Sequence, residues 1–276
     1  MKIIYVTDLH GNAAKYTRTL ETAKKTGAAG VLNGGDMLPL DGDLHGSQNE
    51  FVEGFLLGHF SDYAAAGIAW LGMLGNDDLR IHDALFDKVC RKNKNIFNLA
   101  QRRVEWGGFE FIGMNWVTDY PFRLKDRCRR DGPGYVFQRQ CGAGLLSTPE
   151  GFHELPDWPA YAEGLPDMGQ ELAALPKPGH AAEAIYVIHT PPAGLGLDVI
   201  HSGERVGSGA VNRFIAKNQA RLTLHGHIHE SPEISGVWEA KMENTVCVQP
   251  GQAKTALTYV VIDLGSMTVE RFVEPM

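Results

Sequence analysis

The chain has 276 residues, 43% of them hydrophobic, and 26 basic against 33 acidic side chains leave a formal charge of −7 at neutral pH. That length lies within the range of a large α/β domain, so a single domain over 1–276 is the starting expectation. The mild acidity offers no bulk attraction for nucleic acid or an anionic membrane, so a phosphate-bearing partner has to be held by local chemistry.

The opening β-branched and aromatic run over 3–6 reads as a strand ending at Asp8, and the periodic segment over 12–26 as a helix. The first run is too short for a signal peptide, and no later stretch approaches the roughly 20 apolar residues of a membrane span, so a cytoplasmic protein is expected. The unit then recurs. A strand over 30–33 runs into Gly34-Gly35-Asp36, a helix is expected over 50–66, and a strand over 68–74 runs into Gly75-Asn76-Asp77-Asp78. Such alternation argues for a largely parallel sheet with ligands gathered at the carboxyl ends of its strands.

After a helix over 83–93, residues 103–116 read as a hairpin turning at Gly107-Gly108. The region 118–178 is richer in Pro, Gly and aromatics and reads as an irregular insertion with one helix over 160–175. Regular structure returns with a strand over 184–189, a helix over 209–218 and a strand over 221–224 that leads into His225-Gly226-His227. Strands over 237–241, 245–249, 257–263 and 268–273 suggest a second, mostly antiparallel sheet. Cys90, Cys128, Cys141 and Cys247 form no CxxC pair, which fits reduced thiols better than a disulfide framework or a thiolate zinc site.

Candidate metal ligands stand where strands end: Asp8 and His10, Asp36, Asn76, His189, and His225 with His227. All offer oxygen or imidazole donors. Asp36 is placed to bridge two cations, with Asp8, His10 and His227 completing one site and Asn76, His189 and His225 the other. Ligation of this kind without thiolate suits two divalent transition metal ions, Mn²⁺ (favoured here), Fe, Co, Ni or Zn, and a metal pair can activate water and neutralise a phosphoryl group together. His229 reads as a side chain beyond the ligands or in solvent.

The run Asp8-Leu9-His10-Gly11-Asn12, with Gly35-Asp36, Gly75-Asn76, His189 and the pair His225 and His227 around Gly226, resembles the calcineurin-like metallophosphoesterase superfamily, in order and over nearly the whole chain. His189-Thr190-Pro191-Pro192 and the run from Leu224 to Ser231 are similar to its small prokaryotic branch. The resemblance implies an α/β fold, a four-layer αββα sandwich of two mixed sheets, with a dinuclear centre at the strand ends and an activated hydroxide attacking phosphorus in line. Asp36, Asn76 and Asp77 are then the catalytic candidates. One departure matters: Asp77 stands where many members carry the His thought to protonate the leaving group. Pro39, too, occupies a place where an acid or Arg is usual, with Asp41 and Asp43 following as loop acids.

In the insertion, residues 122–130 concentrate five basic side chains, of which Arg123, Arg127 and Arg130 are the candidates for gripping a substrate phosphate. His201, on the loop after His189, is a further candidate at the site mouth. The other reading of the basic cluster is a solvated loop or a subunit contact, which leaves a homo-oligomer open. The expected function is a metal-dependent phosphoesterase acting on a small phosphate ester, a phosphodiester by preference because Asp77 replaces the usual acid. A non-catalytic binding module on the same fold and a nuclease are the alternatives, the latter disfavoured by the acidic charge.

Overall fold

A computed structural model describes residues Met1–Met276. Four parallel neighbours come first: β1 (Lys2–Val6), β2 (Gly30–Asn33), β3 (Ala69–Gly72) and β4 (Ile96–Asn98). They are connected through α1 (Ala13–Thr26), then α2 (Leu44–Glu50) and α3 (Leu57–Ala65), then α4 (Asp83–Cys90). Asn12 opens α1 by accepting the Lys15 amide on its side chain, and Gly27 closes it at φ 66°. The single helix expected over 50–66 is instead two, joined by a wider π-helical turn over Phe51–Leu56. The first begins early because the Asp43 carboxylate accepts the His45 and Gly46 amides.

The hairpin expected at Gly107-Gly108 forms from β5 (Arg103–Trp106) and β6 (Phe109–Met114). Within the insertion, β7 (Val117–Thr118) pairs with β8 (Cys128–Arg129), and β9 (Gly144–Thr148) with β10 (Gly151–Leu155). Its helix is also two, α5 (Trp158–Glu163) and α6 (Met168–Ala174). Gly164 and Pro166 interrupt the run, and Asp167 with Gln170 restarts it in a reciprocal capping box. The remaining elements are β11 (Ala184–Ile188), α7 (Gly209–Asn218), β12 (Leu222–Leu224), α8 (Ser231–Ser235), β13 (Glu239–Met242), β14 (Thr245–Val248), β15 (Ala256–Asp263) and β16 (Thr268–Pro275).

Two six-stranded mixed sheets result, ordered β16-β15-β1-β2-β3-β4 and β13-β14-β12-β11-β6-β5. The tail therefore does not make a sheet of its own. β13 and β14 extend the second sheet beside parallel β12, whereas β15 returns to pair antiparallel with β1, Tyr5 opposite Val260. Strand alternation explains the layering. Ile3 and Tyr5 face a core shared by both sheets with Leu71, Phe111, Val187 and Val260, while Ile4 and Val6 face α1, α3 and α4 through Tyr16, Leu20, Phe60 and Phe86. On the far side, Ile112, Tyr186 and Ile188 meet Leu172 of α6 and Val211 and Ile215 of α7. Helices, sheet, sheet and helices make the four layers, and the parallel strands end together at one rim.

Candidate metal centre

The loops leaving β1, β2 and β3 are tied together before any side chain is considered. The Asp8, His10 and Gly11 amides donate to the carbonyls of Gly35, Asp36 and Met37 at 2.8–3.0 Å. The buried Asp78 carboxylate accepts the amides of Met37, Leu38 and Gly75, and Gln48 bonds the Pro39 and Asp77 carbonyls and the Leu79 amide. A rigid rim holds the functional side chains in place.

Side chains of two groups converge there: Asp8, His10, Asp36 and His229 in one, Asp36, His189 and His227 in the other, each with its donor atoms within 4.8 Å of one another. Asn76 joins the second group, its Oδ1 3.0 Å from His189 Nε2, which also stands 3.3 Å from Asp36 Oδ2. Asp36 belongs to both. Asp8, Asp36, Asn76 and His189 are buried, and His10, His227 and His229 are half-buried.

His225 is not brought to the cluster. Its amide donates to the Val248 carbonyl, so the strand alternation of β12 runs one residue further and places His225 on the Thr223 face, away from Leu222 and Leu224. There its Nδ1 meets the Ile188 and Thr190 carbonyls and its Nε2 the Thr223 hydroxyl. His229 takes the place expected of His227, 3.0 Å from His10 Nε2 and 3.5 Å from Asp8, and His227 takes the place expected of His225, beside His189. Gly35-Asp36, Gly75-Asn76 and Gly226-His227 each set a glycine just before a donor. A Cβ on Gly75 would stand 2.2 Å from Asp36 Oδ1, and one on Gly226 would stand 2.1 Å from the Thr7 hydroxyl and 2.8 Å from Asp8 Oδ2.

The donor set fits cations. Asp8 Oδ2 and His10 Nδ1 are buried with no hydrogen-bond partner, and the Nε2 edges of His10 and His229 face each other. Asp8, His10, Asp36 and His227 all hold left-handed backbone, at φ 57°, 43°, 51° and 70°, a conformation that costs side-chain-bearing residues energy and clusters at functional sites. The protein's own charges act strongly on the cluster. Burial pulls the His189 imidazole down, but Asp36 and then Asp8 outweigh it and push it up to about 9. For His229 the same contest, with Asp8 foremost, also ends at about 9. His227 is pulled down to about 4 by burial and by His189. Asp77, half-buried, is raised to about 8 by burial, then by Asp36 and Asp78.

A pocket of about 440 Å³ opens above the cluster, lined by Asp36, Asn76, Asp77, His227 and His229 on its floor and by Tyr120, Phe122, Ile200, His201 and Glu230 on its walls. His201 thus lies at the mouth, Tyr120, an aromatic near the basic run, reaches the wall, and Phe122 and Glu230 are wall residues that the sequence did not single out. The expected basic grip is absent. Arg123 pairs with Glu154, and Arg127 is buried against Asp83 and the Gly75 carbonyl. Arg130 bonds the Ala162 carbonyl and Glu163, Lys125 is buried on Asp119, and Arg129 pairs with Glu171. None of the five lines the pocket.

Residues 1–231 match the family described as calcineurin-like phosphoesterase. No curated protein matches the chain. Among solved structures, the protein TT1561 of Thermus thermophilus superposes with a TM-score of 0.60 at 17% identity, covering 99% of this chain and 98% of its own. A dimetal phosphatase from Danio rerio gives 0.51 at 9% identity, with 100% and 96% covered. At such identities these likenesses speak for the fold.

Proposed function

The chain belongs to the calcineurin-like phosphoesterase family and is a metal-dependent phosphoesterase in the general sense, and from that premise we propose that it hydrolyses a small phosphodiester at a dinuclear centre. Asp8, His10, Asp36 and His229 would hold one divalent cation and Asp36, Asn76, His189 and His227 the other, with Asp36 between them. When bound, such a pair supplies Lewis acidity toward a phosphoryl oxygen and a nucleophile at neutral pH. The carrying observation is that two donor groups meet at one buried carboxylate on the floor of a pocket.

The protein's own residues then do the positioning. Asp36 Oδ1 accepts the Asp77 amide at 2.8 Å and Asn76 Nδ2 donates to the Asp77 carboxylate at 2.9 Å, which fixes the β3 loop against the β2 loop. The His227 amide donates to Asp8 Oδ1 at 3.1 Å, which fixes the β12 loop against β1. No Lys or Arg stands beyond the floor to meet a second negative charge, whereas Asp77 and Glu230 line the pocket. That favours the monoanionic phosphodiester over a dianionic monoester, and it sets polyanionic nucleic acid further back. Oxygen and imidazole donors without thiolate suit Mn²⁺, which is the metal to test first. The four free cysteines support a reducing compartment such as the cytoplasm. The shared core between the two sheets supports one domain over 1–276, with 118–178 inserted. No helix is long and apolar enough to cross a membrane.

Metal analysis after dialysis against Mn²⁺, with turnover on matched mono- and diesters of p-nitrophenol, tests this. Two equivalents of metal and a higher kcat/KM on the diester are expected. One equivalent or none, or turnover confined to monoesters, would overturn it, and metal-free protein without turnover would return the binding-module reading.

A further inference from the structure

The pocket walls carry more information than the metal floor, because they face whatever the phosphoryl group is attached to. Three features of those walls bear on it. The first is charge: Arg123, Lys125, Arg127, Arg129 and Arg130 are each held by a carboxylate, and no Lys or Arg lines the cavity, while Glu230 does. Glu230 is fixed there, since its Oε1 accepts the His201 amide at 3.2 Å.

The second is a flat apolar side. The Tyr120 ring stands 5.7 Å from the His227 ring and 5.9 Å from the Phe122 ring, so an aromatic surface leads from the metal floor toward the mouth. Tyr120 is anchored by its hydroxyl on the Leu124 carbonyl at 2.7 Å and by the Lys125 ammonium 4.9 Å from its ring centroid. Phe122 has no such anchor and is 67% exposed, an unusual placement for a large apolar ring. The third is further apolar lining, supplied by Ile200, Val206 and Ile228.

We propose that this pocket selects esters bearing a single phosphoryl group whose organic portion is flat, apolar and free of negative charge, seated against Tyr120 and Phe122, and that Glu230 rejects carriers of a second anion. The inference rests on the phosphodiesterase reading above and adds the chemistry of the alcohol. Two cations held at the floor would match one phosphoryl group, and a further carboxylate or phosphate would sit in the cavity with Glu230 and no Lys or Arg to meet it, where repulsion is weakly screened. A neutral ring loses nothing there and gains the stacking surface. A cationic substituent gains Glu230 and the aromatic faces together.

The test uses the full chain loaded with Mn²⁺ and three diesters of p-nitrophenol, whose second groups are benzyl, 4-carboxybenzyl and 4-(trimethylammoniomethyl)benzyl. The leaving group is constant, so kcat/KM reads the pocket. The carboxylate should lower kcat/KM by about tenfold or more relative to benzyl, and the ammonium should equal or exceed benzyl. Glu230→Gln, which keeps an acceptor for the His201 amide, should shrink the carboxylate penalty by about threefold or more. Phe122→Ala, at an exposed position whose loss does not threaten folding, should raise KM for the benzyl diester about fivefold with kcat unchanged. A flat or reversed charge order, a penalty that Glu230→Gln leaves intact, or an unchanged KM in Phe122→Ala overturns the inference while leaving the enzyme a phosphodiesterase. Loaded protein that turns over none of the diesters defeats the underlying reading instead.

Discussion

The rim of the strands and the insertion over 118–178 are both crowded with ionisable side chains, and they treat them in opposite ways. At the rim, Asp8 Oδ2 and His10 Nδ1 are buried without partners, and four donor residues hold left-handed backbone. In the insertion, Arg123, Lys125, Arg127, Arg129 and Arg130 each have a carboxylate partner, and Lys125 on Asp119 is fully buried. Satisfied charge is architecture, whereas charge left unsatisfied in a strained loop is reserved for something that the chain itself does not supply. The same run of basic residues that looked like a phosphate grip is therefore a set of clamps.

The sharpest way to break that contrast is at Asp36, the one residue in both donor groups. Asp36→Asn should lose both cations and lower kcat at saturating Mn²⁺ by on the order of 10³ or more. Near-normal turnover with two metals still bound would remove Asp36 from the centre. Next come His229 and His225. His229→Ala should lose a cation and about 10² in kcat with little change in unfolding free energy. His225→Ala should do the reverse, costing about 2–3 kcal/mol of stability by stripping partners from two buried carbonyls and the Thr223 hydroxyl, with both metals kept. Metal analysis beside urea unfolding reads the two variants together, and an exchange of their phenotypes would restore His225 as a ligand.

The insertion gives the third comparison. Arg127 carries a buried guanidinium between Asp83 and the Gly75 carbonyl, so Arg127→Ala should lower unfolding free energy by about 2–3 kcal/mol. Arg123, exposed beside exposed Glu154, should cost under about 0.5 kcal/mol when replaced by Ala. Neither change should raise KM for any phosphate ester, and an increase in either would return that arginine to the substrate.

Much of the centre was legible because strand-loop-helix alternation puts chain-distant donors at one rim, and Asp8, His10, Asp36, Asn76, His189 and His227 do arrive there together. The exchange of His225 for His229 has a local cause. In His225-Gly226-His227-Ile228-His229 three imidazoles lie two apart, and the choice among them turns on where β12 stops. The ladder bond from His225 to Val248 settles that point, and a bond 23 residues away leaves no mark in the local pattern. The tail was misread for a similar reason. Alternation identifies β13 to β16 as strands but is silent on partners, and β15 finds β1 across more than 250 residues. The arginines of the insertion were illegible because a cation's partner, not its spacing, decides its role.

Asp77 gives the smallest expected effect. Burial, then Asp36 and Asp78, raise its carboxyl to about 8, which taken alone would make it a proton donor at neutral pH. Asp36 ceases to repel it once that carboxylate is engaged with cations, and their field adds a downward pull, so in the loaded enzyme Asp77 should be ionised at neutral pH. An ionised carboxylate cannot protonate the leaving oxygen, which then departs with much of its charge, and rates should depend steeply on leaving-group pKa, aryl esters ahead of alkyl. Asp77→Ala should accordingly cost less than about tenfold on an aryl diester, below the roughly 10²–10⁴ expected for loss of a working acid. Asp77→His, with an imidazole that titrates near neutrality, should recover alkyl-ester turnover. The decisive comparison is a leaving-group series on wild type, Asp77→Ala and Asp77→His: a shallow dependence in wild type that steepens in Asp77→Ala would show that burial wins over the cations and that Asp77 delivers the proton after all.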